Sequence, residues 1–148
     1  MKTIAFSFLL LALLLNFGCQ TTEGVTISET SLALKQTRIS VTAAIGEARV
    51  ISQNGREITS HYHDRKLKFL DVNSKIKERL YTKVVILGAR RPYDITVAVH
   101  IEQRDPDSRN FQDIGLDDSL TVLQAKAIQQ ALNQSRDKLQ TIDEGAPF

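Results

Sequence analysis

The chain has 148 residues, 42% of them hydrophobic, and a formal net charge of +2. That length fits one domain, and the near balance of charge argues against nucleic acid as a partner, because phosphate binding needs a clustered basic surface. Cys19 is the only cysteine, so no intramolecular disulfide can form and the fold must be held by its core.

Residues 1–18 start with Lys2 and run apolar from Ile4 to Leu15. The run falls short of the ~20 apolar residues that span a bilayer and has the length of a signal-peptide core. Taking Lys2 away with the leader leaves the 17 acidic side chains nearly matched by the remaining basic ones. The run ends in Leu15-Asn16-Phe17-Gly18-Cys19. This segment resembles the lipobox of bacterial lipoproteins. Gly18 supplies the small residue before the cut, Leu15 lies one place early, and Asn16 stands where an aliphatic residue is usual. The resemblance implies cleavage by signal peptidase II before Cys19, a diacylglycerol on its thiol and a membrane anchor of two or more acyl chains, enough for stable attachment. Gln20, in place of an aspartate, implies an outer-membrane lipoprotein facing the periplasm, with the inner membrane as second choice. Residues 19–31, rich in Thr, Ser and Glu, read as a lipidated tether. The expected domain covers 32–140, and 141–148 form a loose tail.

Residues 32–45 allow two readings. Ile39, Val41, Ala43 and Ile45 alternate with smaller or polar residues, which favours a strand from about residue 38. The alternative is a helix stopped by Gly46. Two strand-like runs, 48–53 and 56–63, flank Asn54-Gly55, a hairpin signal for a type I′ turn, with Ile58 and Tyr62 facing the core. Residues 64–79 are a charged connection with a short helical turn at Ser74–Leu80. Tyr81–Leu87 is dense in β-branched residues. Ile95, Val97, Val99 and Ile101 alternate with polar or small residues, as in a strand with one buried face. The short link Gly88–Tyr93 makes these two strands antiparallel.

Asp105–Gly115 reads as a polar loop. A helix follows, with Asp117, Asp118 or Ser119 as N-cap and a stripe of Leu120, Leu123, Ala127, Ile128, Ala131, Leu132 and Leu139, ending near Leu139. The pattern predicts an α+β fold: a two-layer structure with an antiparallel sheet of about four to five strands and the C-terminal helix packed on one face.

Chemistry-bearing residues are sparse. His61 and His63 would share one face of a strand, the spacing for a metal pair, with Asp64 and His100 as further ligands. Solvated histidines are the simpler reading, so no metal site and no cofactor are expected. Asp105–Asn110 begins like a calcium loop but has Arg109, Asn110 and Leu116 where an acid, a glycine and a glutamate are needed. No Gly-x-Ser-x-Gly elbow, phosphate loop or His-Glu-x-x-His occurs, and no catalytic residue is assigned. Arg90, Arg91 and Tyr93 at a hairpin tip are residue types enriched at binding hot spots. The sequence therefore reads as a non-enzymatic accessory module of a cell-envelope assembly, held to the membrane through Cys19 and docking an envelope protein. A module binding cell-wall fragments, lipid or a metal ion is the alternative.

Overall fold

The computed structural model of the chain describes residues 23–71 and 75–144. The leader, Cys19, Gln20 and the last four residues lie outside the described residues. In chain order the elements are β1 (Val25–Thr30), α1 (Leu34–Ile45), β2 (Ala48–Ile51), β3 (Glu57–Ser60), β4 (Glu78–Leu87), β5 (Tyr93–Arg104), β6 (Phe111–Leu116) and α2 (Asp118–Glu144). The strands form one antiparallel sheet in the order β1-β5-β4-β3-β2, with β6 also paired to β5. Both helices pack on one face, giving the two-layer α+β architecture. Among the described residues no helix is long and apolar enough to cross a membrane.

The central hairpin has the expected register. Leu87 pairs with Asp94 and Glu78 with Gln103. Leu80, Thr82, Val84 and Ile86 alternate inward on β4, opposite Ile101, Val99, Val97 and Ile95 on β5. Val84, Ile86, Ile95 and Val97 join Ile58, Val41, Ile128 and Leu132 in one core. Each large aliphatic side chain buried this way contributes roughly 1.5–3 kcal/mol.

Residues 34–45 are a helix, not the strand favoured above. The alternation misled because the buried face is half polar: Thr37, Ser40, Val41 and Ile45. Thr37 Oγ1 donates to the Ala33 carbonyl at 3.1 Å and Ser40 Oγ to that of Gln36 at 3.0 Å. Ser40 and Ser135 share a 2.7 Å hydrogen bond that joins the two helices. Satisfied in this way, hydroxyls can occupy a packed helix face. Ile39, one of the alternating apolar residues of the strand reading, is 51% exposed. Gly46 ends the helix at φ +81°, with the Phe69 ring against the position a Cβ would take.

Five further expectations are corrected. β1 lies inside the stretch read as a tether, with Val25 opposite Val97 and Ile27 opposite Ile95. The β2–β3 turn is longer than a two-residue type I′: Ser52 N–H donates to the Glu57 carbonyl, and Gly55, not Asn54, has positive φ. Glu78–Leu80 belong to β4 rather than to a helical turn, and the polar loop 105–115 contains most of β6. Helix α2 continues to Glu144, and its inward face is rotated from the predicted stripe, keeping Ile128 and Leu132 but not Leu123 and Leu139. Thr121, Gln124, Ala125, Ile128 and Leu132 are buried, whereas Leu123 and Leu139 are about half exposed.

One join between the layers is specific. The outer edge of β5 is shared by β1, opposite Tyr93–Val97, and β6, opposite His100–Arg104. Between them Val99 has no strand partner on that side. Its N–H donates to Thr121 Oγ1 at 2.9 Å, and its carbonyl accepts from the Asp117 N–H at 2.9 Å. Asp117 also caps α2, its Oδ1 accepting from Leu120 N–H. The amino end of the helix thus completes the sheet's hydrogen bonding where two strands leave a gap.

Candidate functional site: the open face of the sheet

With both helices on one side, the opposite face of β2–β6 carries its own side chains outward. A bulge assembles them. Ile58 pairs with Val84, whereas His63 pairs with Leu80. The chain therefore takes one extra residue between Ser60 and His63, so that both point toward the helices and Tyr62 turns to the open face. This overturns the expectation that Tyr62 joins the core beside Ile58. A second register shift, between Ala48 and Val50, accommodates Arg49 on the same face.

The result is a continuous array of guanidiniums and rings. The Arg79 guanidinium lies 3.7 Å from the Tyr62 ring centroid and 3.8 Å from that of Phe111. Its Nε meets Glu102 Oε2 at 2.6 Å. The Arg49 guanidinium lies 4.3 Å from the centroid of the same Tyr62 ring, and that of Arg104 lies 4.8 Å from the Phe111 centroid. Tyr81 meets Tyr62 edge to face at 6.1 Å and stacks on His100 at 4.9 Å, 4° from parallel. His100 Nδ1 is 2.7 Å from Asp113 Oδ2. Cation–ring contacts contribute about 0.5–1 kcal/mol when exposed and ~2 when desolvated. The Arg79 side chain is less than one-fifth exposed, so its ring contacts fall between these limits. Burial, then the nearby Asp113 and Glu102 carboxylates, push the Tyr81 phenol above its ordinary value. It therefore presents a neutral hydroxyl at neutral pH.

Chemically this face is a set of guanidiniums and rings tied to one another by cation–ring and ring–ring contacts. Each ring face contacted by a guanidinium is held in place by it, and the three arginines are balanced in part by Glu102 and Asp113. Such a mixed surface suits another protein better than a polyanion.

The residues singled out from sequence are placed elsewhere. Tyr93 is a core residue, 8% exposed, with Arg56 stacked on its ring at 5.5 Å. Arg56 also donates to the Gly88 carbonyl. Arg90 and Arg91 are exposed on the β4–β5 turn, and Arg91 Nη1 reaches the Ser31 carbonyl at 3.4 Å. The three thus do not converge. His61 and His63 are separated by the bulge: His61 is exposed, edge-on to Phe69 at 6.2 Å, and His63 is buried. His63 Nδ1 is 2.9 Å from the Asp64 carbonyl, and Nε2 is 3.4 Å from Thr82 Oγ1. Asp64 instead closes its own loop, accepting from the Lys66 and Lys68 N–H groups. His100 lies on the open face. Among the described residues no group of three or more His, Cys, Asp or Glu is placed to hold a metal ion. Asp105 accepts from Asp107 and Ser108 N–H, an ordinary turn in the β5–β6 link.

Compared with known proteins, the chain matches no protein-family model, no curated protein and no solved structure.

Proposed function

We propose that this chain is a membrane-anchored, non-enzymatic interaction module of the bacterial cell envelope. Acyl chains on Cys19 hold it to the outer membrane on the periplasmic side, and the open sheet face docks a partner protein. The lipobox-like segment supports the location. The observation that carries the role is the uncovered face bearing Arg49, Tyr62, Arg79, Tyr81, His100 and Phe111 as one array. Arg, Tyr and Phe in such a cluster are the residue types that concentrate binding energy at protein interfaces. Stacking of wall sugars is less favoured, because guanidiniums already cover faces of Tyr62 and Phe111.

Site-specific photo-crosslinking in the full-length chain tests this. A photoreactive residue at Lys83, in the middle of the open face opposite Ala98, yields a discrete protein adduct in living cells. The same residue at Lys126, exposed on α2, does not. Replacing Arg90 and Arg91 by alanine leaves the Lys83 adduct in place. Equal labelling from both positions, or none from Lys83, refutes the docking face. Mass spectrometry of the mature N-terminus showing an unmodified cysteine refutes the anchor.

A further inference from the structure

The sheet has two outer edges, and they differ in kind. The edge beyond β5 is shared by β1, polar outward and interrupted by a register shift with Glu29 at φ +60°, and by β6, whose pairing also shifts register between Ile101 and Glu102. Charge and irregularity of this kind blunt an edge against pairing. β2 pairs only with β3, and it presents Val50 and Ile51 at 51% and 49% exposure. Ser52 donates to Glu57 across the pair. By antiparallel alternation the Ile51 N–H and C=O then point away from β3, toward open solvent. Directly beside this edge, Ile39, Thr42, Ala43 and Ile51 line a mostly apolar groove of about 650 Å³.

We infer that this edge and groove join two copies of the chain about a two-fold axis, β2 against β2. Charge selects a second copy as the occupant. The groove also carries Arg38 at one end and Glu47 at the other, and neither forms an ion pair among the described residues. Their midpoint falls at Thr42 and Ala43, two small residues that let helices approach closely. An axis there lays the two α1 helices antiparallel and brings each Arg38 toward the other copy's Glu47. That self-complementarity is what an isologous contact requires. The same axis pairs the outward backbone groups of the two β2 strands, and the two open faces become one continuous surface. The contact stands independently of what the open face binds.

Native mass spectrometry of the full chain released from detergent micelles counts the copies, with reductant present so that Cys19 cannot link them. The wild type gives two. Ile39→Glu, on an exposed position of α1, gives one while its circular dichroism spectrum stays that of the folded wild type. Arg38→Glu or Glu47→Arg alone weakens the dimer by about tenfold, since a repulsive contact occurs twice by symmetry. The two reversals combined restore it. A wild type that stays a single copy overturns the inference and leaves the edge to a strand of another protein. A dimer indifferent to Ile39→Glu and to both charge reversals overturns it equally.

Discussion

Replacing Arg79 by alanine tests whether the open-face array is a bonded structure or a set of incidental neighbours. The guanidinium sits between Tyr62 and Phe111, both centroids under 4 Å away. Two partly desolvated cation–ring contacts contribute about 1 kcal/mol each. Glu102 is bonded to it at 2.6 Å and only 16% exposed. Losing its partner costs the carboxylate about 1 kcal/mol more. The expected loss is therefore about 3 kcal/mol, roughly a 10 °C fall in melting temperature for a domain of this size. Arg79→Lys keeps the charge but not the flat, forked head that stacks and pairs at once, and loses about half as much. Urea denaturation followed by circular dichroism measures both, with exposed Lys126→Ala as a control within about 0.5 kcal/mol of wild type. A double-mutant cycle with Phe111→Leu isolates one contact and gives a coupling near 1 kcal/mol. The reasoning fails if Arg79→Ala costs under about 1 kcal/mol, or if lysine fully replaces arginine.

The same substitution at two buried threonines has opposite signs. Thr121→Val strands the Val99 N–H, which donates to that hydroxyl at 2.9 Å, and destabilises by about 1–3 kcal/mol. Thr96→Val removes a buried Oγ1 that has no hydrogen-bond partner among the described residues, and stabilises by about 1 kcal/mol; thermal melts that rank them the other way would contradict both assignments. Acid acts through carboxylates held below their ordinary values: Asp64 and Asp105 by backbone N–H groups, Glu78 by its bonds to Arg65. Their folded values lie below the unfolded ones, so their stabilisation is complete above roughly pH 5 and fades as pH falls further. The melting temperature should hold from pH 7 to 5 and drop below 4, whereas a rise on acidification would reverse the sign.

The α+β class and the central hairpin were legible because β4 and β5 alternate β-branched and polar residues around a short turn. The rest was hidden for identifiable reasons. β1 has only Val25 and Ile27 to mark it among Thr, Ser and Glu, since an edge strand needs little apolar surface. α1 was obscured by Thr37 and Ser40, polar residues that bury by bonding to their own helix. On α2, Thr121 and Gln124 displaced Leu123 from the inward face because Thr121 is tied to Val99. Part of the open-face array could have been found. The Gly88–Tyr93 turn puts Tyr81 opposite His100 on the wet side of the hairpin. Tyr62 could not, because a one-residue bulge decides which way it points and has no local signal of its own, while Arg79 and Phe111 fall in stretches read as a connection and a polar loop.

The arrangement along the outer side of β5 has a mechanical consequence. β1 and β6 meet it end to end, with the start of α2 wedged at Val99. Tension arriving along the chain ahead of residue 25 loads β1 first, and β1 supplies none of the arginines or rings of the open face. The wedge separates the ladder of β1 from that of β6, which holds Phe111 and Asp113. Loss of β1 under such a load leaves every arginine and ring of the open face on its own strand.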